Sequence, residues 1–108
     1  MREGLEKLLA AGKDNALLRF GLGNACMGEG DLEAAREHLS KAVEMNPRYT
    51  AAWKLLGRVL VQREQFKQAQ EVLEQGLVIA REQGDKQAEK EMQVFLKRAV
   101  KALDQAAE

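Results

Sequence analysis

"AAWKLLGRVL", residues 51–60, decides the fold. Ala, Leu, Lys and Arg favour an α-helix, yet Gly57 stands inside the stretch, where glycine costs about 1 kcal/mol relative to alanine. A glycine in that place points to a neighbour that needs the space.

The rest of the sequence supplies a pattern for that neighbour. An offset of 34 residues aligns "AAWKLLGRVLVQREQFKQAQEVLEQGL" (51–77) with "LLRFGLGNACMGEGDLEAAREHLSKAV" (17–43) without a gap. Leu22-Gly23 falls on Leu56-Gly57, Leu32 on Phe66, Ala35 on Ala69, Leu39 on Leu73 and Val43 on Leu77. Self-similarity at a fixed period of this size marks stacked structural units and takes priority over local readings.

The repeat resembles the tetratricopeptide repeat family. That motif has a Trp, a Leu-Gly pair three and four residues on, then Ala, large residues and Pro downstream. Trp53, Leu56, Gly57, Leu60, Ala69 and Leu73 carry it in one unit. Leu22, Gly23, Cys26, Gly30, Ala35, Leu39, Ala42 and Pro47 carry it in the other. Three positions depart: Arg19 at the Trp place, Gly76 at the second small-residue place and Arg81 at the Pro place.

The resemblance implies an all-α chain, a right-handed helical-hairpin solenoid of about six antiparallel helices. Residues 16–49 and 50–83 form the two complete units. Residues 1–15 form an N-terminal partial repeat or cap, and 84–108 a C-terminal capping helix. Gly23 and Gly57 are expected where the first helix of each unit meets the second, facing Ala35 and Ala69. Such close approach tightens the packing of the large residues around it.

Local signals agree. Pro47 follows a helix that ends near Met45 and cannot continue it. "GEGD" (28–31) reads as a turn with Asp31 as the next N-cap, and Thr50 is the expected cap of the following helix. "EQGD" (82–85) ends one helix and begins the last. Turns are expected near 13–15, 28–31, 46–49, 63–65 and 83–85. No segment alternates apolar and polar residues over the length of a strand. At the ends, Leu5, Leu8 and Leu9 share one helical face. In the last helix Ala88, Met92, Phe95, Leu96, Ala99, Val100 and Leu103 share another, opposite Lys86, Lys90, Gln93, Lys97 and Lys101.

Composition bounds the function. The chain has 108 residues, enough for one domain. Seventeen basic and seventeen acidic residues give no net charge, which argues against a general affinity for nucleic acid or anionic membranes. One cysteine, Cys26, allows no internal disulfide. Glu3 and Glu6 interrupt the place where a signal peptide needs an apolar core, and apolar runs such as "LVIA" (77–80) are far short of a membrane span. A cytoplasmic location is expected.

Chemistry is hard to place in this chain. "GLGNACMGEG" (21–30) lies in a helix and its turn rather than between a strand and a helix, so it is no phosphate loop. One His and one Cys give no metal-ligand spacing, so no metal or cofactor is expected. His38 reads as a surface or half-buried residue, and Cys26 as an inert packing thiol. Carboxylates such as Glu33/Glu37 and Glu71/Glu74 read as solvated faces among Lys and Arg.

Protein binding is the function left. The first helix of the first unit carries Leu17, Phe20, Asn24 and Met27 on a face distinct from its core face. By the resemblance, this face and Lys54, Arg58 and Val61 in the second unit line the concave wall of the stack. The expected partner is an unidentified protein or peptide. Lys54 and Arg58 suit a carboxylate, Phe20 and Met27 an apolar side chain, and Asn24 a peptide backbone. The alternative is that the same apolar face pairs weakly with a second copy as a structural scaffold. Some members of the family clamp the acidic tails of chaperones. Here Phe20 replaces the clamp's first Lys, Leu55 replaces its second Asn, and Asp85 and Glu89 fall near its last cations. Only Asn24 matches, so that partner is not expected.

Overall fold

The computed structural model describes residues 1–107. Within them are six helices: α1 (Arg2–Ala10), α2 (Ala16–Gly28), α3 (Leu32–Met45), α4 (Thr50–Gln62), α5 (Phe66–Gln83) and α6 (Lys86–Ala107). The connections between them fall where the turn signals place them, and the described residues contain no strand.

Each helix packs on the next in the chain, and α2, α4 and α6 also touch in turn. These three form one wall, with α3 and α5 on the outside. Leu22, Leu39, Leu73, Met92, Val59 and Cys26 are the largest fully buried side chains, so the core runs continuously from α2 to α6. The Cys26 thiol, fully buried, has its pKa pushed up by loss of hydration.

Gly57 and Gly23 now have their explanation, with one correction. Both are buried, but they face Leu73 and Leu39 rather than Ala69 and Ala35. A Cβ on Gly23 would stand 2.5 Å from Leu39 Cγ, and one on Gly57 2.6 Å from Leu73 Cγ. The small side chains at 35 and 69 are buried alongside one turn earlier. Each leucine fills the hollow its glycine leaves.

The caps follow their chemistry. Leu18 N–H donates to the Asn15 side chain at 2.8 Å, Ala34 N–H to Asp31 at 3.2 Å and Ala88 N–H to Asp85 at 3.0 Å. Thr50 does not cap. It lies inside α4, and its hydroxyl donates to Gln83 Oε1 at 2.7 Å, while Gln83 Nε2 donates to the Arg48 carbonyl at 2.7 Å. Thr50 thus joins the start of α4 to the end of α5.

The departure at Arg81 shifts the last helix. With Pro47 beyond it, α3 stops at Met45. Arg81 holds the corresponding place in α5 and imposes no stop, so α5 runs on to Gln83 and closes on Gly84 in the left-handed conformation, φ 70°. The next helix then begins 36 residues after Thr50 rather than 34. Buried Ala52 and Leu56 of α4 therefore correspond to buried Ala88 and Met92 of α6.

Candidate functional site

The wall formed by α2, α4 and α6 carries all seven residues expected to bind a partner. Two linkages fix the first of its seams. Trp53 Nε1–H donates to the Pro47 carbonyl at 2.7 Å, holding the 46–49 connection against α4. Tyr49 at the end of that connection meets Phe20 of α2, ring centres 5.0 Å apart and planes tilted by 32°. Burial raises the Tyr49 pKa. Phe20 is thereby half covered by Tyr49. Helix α1 instead sets Leu5 over Gly21.

Position along each helix separates the seven residues into two rows. Phe20 and Met27 of α2 are half-buried and pack against the core, as does Val61 of α4. Lys54 is half-buried too, and its ammonium lies 2.6 Å from Glu91 Oε2 on α6. These four sit in the seams between neighbouring helices. Leu17, Asn24 and Arg58 face outward, Leu17 with 72% of its surface exposed.

The Lys54–Glu91 pair has a direct electrostatic effect. The ammonium, with a further hydrogen bond from Gln87, holds the Glu91 carboxyl below the usual carboxylate range. Beside that pair, Arg58, Val61 and Gln62 of α4 face Phe95 and Arg98 of α6 across a shallow groove of about 300 Å³. The Arg98 guanidinium carbon stands 5.8 Å from the centre of the Phe95 ring. Neither Arg58 nor Arg98 has an ion-pair partner among the described residues. The groove offers an apolar floor and two uncommitted cations, which suits a carboxylate-bearing chain.

Tyr49, Glu91, Phe95 and Arg98 thus stand at this surface beside the expected set. Phe95 fell on the expected buried face of the last helix; it is half-buried at the seam instead. No repeat signal marks it, because the 36-residue step from α4 to α6 sets Phe95 opposite buried Val59 rather than opposite half-buried Val61.

No group of three His, Cys, Asp or Glu side chains able to hold a metal ion occurs among the described residues. No described helix is long and apolar enough to cross a membrane.

A family model described as tetratricopeptide repeat matches residues 27–90, and a second of the same description matches residues 2–50. The chain belongs to the tetratricopeptide repeat family. It is 54% identical over 102 residues to the TPR repeat-containing protein PA0015 of Pseudomonas aeruginosa, a match covering 94% of this chain and 97% of that one. Among solved structures, protein BPP2914 from Bordetella parapertussis shares 41% identity at a TM-score of 0.79, covering 94% of this chain and 89% of the other. A tetratricopeptide repeat domain protein from Salinibacter ruber superposes at a TM-score of 0.73, covering 80% and 96% of the two chains; at 22% identity it shows the shared fold alone. Tetratricopeptide repeats are generally non-catalytic modules that bind other proteins.

Proposed function

We propose that this tetratricopeptide-repeat protein is a non-catalytic, cytoplasmic interaction module that takes a short extended peptide along the concave wall of α2, α4 and α6. Residues 16–49 and 50–83 act as its two units, capped by 1–15 and 84–108. The observation that carries the reading is the α4–α6 groove, where the uncommitted guanidinium groups of Arg58 and Arg98 flank Val61 and Phe95. The exposed Leu17 and Asn24 on α2 continue the same wall. A peptide carboxylate would bind the guanidinium groups, an apolar side chain would rest on Leu17 or Phe95, and Asn24 would hydrogen-bond the backbone. Lys54 joins only if an incoming carboxylate shares it with Glu91.

Helices pack about 8–10 Å apart, and an extended chain advances about 3.3 Å per residue. Three helices therefore seat about six residues, and affinity in the micromolar range is expected for so short a contact. The test is a pull-down with the wild type against the Arg58→Glu/Arg98→Glu pair. Proteins recovered by the wild type alone support the reading; identical recovery by both overturns it.

The exposed Leu17 favours one second reading, self-association through the same wall as a structural scaffold. Light scattering separates the two. A stable dimer that dissociates on Leu17→Asp supports the scaffold, whereas a monomer in both proteins removes it.

A further inference from the structure

A second groove lies away from that wall. It is a groove of about 880 Å³ lined only by α5 and α6, with Leu77, Leu96, Val94 and Val100 as its apolar lining. Val94 keeps 49% of its surface exposed although it lies mid-helix. Around this lining stand Arg81, Lys90, Lys97 and Lys101, with Asp104 the sole acid. Arg81 is paired with Glu89 at 2.9 Å. The three lysines have no ion-pair partner among the described residues.

The stack itself says what shape fits there. One unit earlier, α5 packs on α4 beside α3, leaving only a small open hollow of about 220 Å³ among Arg36 and Ser40 of α3, Leu56 and Leu60 of α4, and Gln68, Glu71 and Val72 of α5. The 36-residue step from α4 to α6 carries Leu60 to Leu96 and Gly57 to Gln93. Leu60 is buried and Gly57 touches Leu73 of α5. Leu96 and Gln93 line the open groove. Helix α6 thus takes the place beside α5 that α4 takes beside α3, and no described helix covers the groove where α5 covers α4.

We propose that this groove binds an amphipathic, acidic helix of a partner protein, which completes the third hairpin. The apolar stripe of the incoming helix covers Leu96, Val100 and Val94, and its carboxylates meet Lys90, Lys97 and Lys101. Charge selects the occupant. A second copy bringing the same groove face to face would set lysines against lysines, and a basic helix meets the same repulsion. Gln93 replaces the glycine of the two complete units, so the incoming helix rides farther from α6 than α5 does from α4.

The test uses the intact protein and a synthetic helix of about 18 residues, long enough to span the groove at about 1.5 Å per residue, with Leu and Ala on one face and Glu flanking it. A matched peptide with Lys in place of Glu and vesicles of phosphatidylcholine with phosphatidylserine serve as the other arms. The acidic peptide is expected to shift the backbone amide resonances of Leu77, Gln93, Leu96 and Val100 and to bind more weakly as salt rises. Lys97→Glu/Lys101→Glu, at two exposed positions, is expected to weaken it about tenfold, whereas Arg58→Glu/Arg98→Glu leaves it unchanged. Four outcomes overturn the proposal: shifts confined to other helices, equal binding of the basic peptide, binding of vesicles without the acidic peptide, or a dimer in sedimentation that buries the same resonances.

Discussion

Two glycines and one glutamate show how much a single backbone atom decides here. Gly57→Ala improves helix propensity by about 1 kcal/mol, but its Cβ would stand 2.6 Å from the branch carbon of Leu73, which is fully buried and has no room to retreat. Overpacking of this kind costs about 1–3 kcal/mol, so a net loss of stability is expected in urea unfolding. Gly57→Ala/Leu73→Ala should cost less than the two single losses added together, because one change relieves the other. An unchanged midpoint for Gly57→Ala contradicts the packing described. Glu64 is the reverse case. It adopts φ 60°, the left-handed region that Gly30 occupies at φ 80° one unit earlier. The strain is about 1–2 kcal/mol for a residue with a side chain, against about 0.5–1 kcal/mol for the extra freedom glycine has when unfolded. Glu64→Gly is therefore expected to stabilise the fold by roughly 0.5–1 kcal/mol, read as a higher urea midpoint.

At the scale of elements, the joints differ in how they are made. Between α2 and α3, Arg19 reaches Asp14 at 2.8 and 2.9 Å and His38 Nδ1 at 3.1 Å. Loss of hydration, and then the Arg19 charge, lower the His38 pKa below its ordinary value. The unfolded chain then takes up a proton near pH 6.5 that the folded one resists, so stability falls as pH drops through that value. His38→Gln should flatten this part of the pH–stability curve, which thermal unfolding between pH 5 and 8 would read. Helix α1 is joined more lightly. None of its residues is buried, and Leu8 is 47% exposed. Arg2 links it to Glu29 at 3.2 Å and Asp31 at 3.0 Å on the α2–α3 turn. Amide exchange should be fastest in α1. Arg2→Ala should speed it there and leave α4 unchanged, because the half-buried bridge holds only α1 to the α2–α3 turn and local opening does not require global unfolding.

Much of the molecule was legible from the period, for reasons these joints make plain. Gly23, Gly57, Trp53, Pro47 and the turn residues each act within a hairpin or on its immediate neighbour, so their spacing in sequence is their spacing in space. Partners across helices escaped that logic. Glu91 and Arg98 lie on a helix displaced by two residues because Arg81 stands where a proline would have stopped α5. The Arg2 bridge to the α2–α3 turn has no repeat to announce it. On the wall, the sequence alone does not separate Leu17, which stays open, from Phe20, which Tyr49 half covers. Packing against a connecting segment decided that.

For the whole chain, these contacts give an elongated body with principal extents of 48 × 30 × 19 Å. Its tertiary contacts join helices adjacent in sequence or one removed. Chains dominated by such short-range pairings fold in microseconds to milliseconds, and stopped-flow refolding should show a main phase of that order, whereas a phase of seconds would argue for slower, distant pairings. The same ordering bears on biosynthesis. A ribosome releases a chain from its N-terminus at about 5–20 residues per second, far slower than a helical hairpin closes. By the time α6 emerges, α4 and α5 can already be seated, leaving Met92 a finished hollow beside Gly76 and Trp53 to enter. Growth of the polypeptide can itself act as the assembly line, each arriving segment finding the previous one ready.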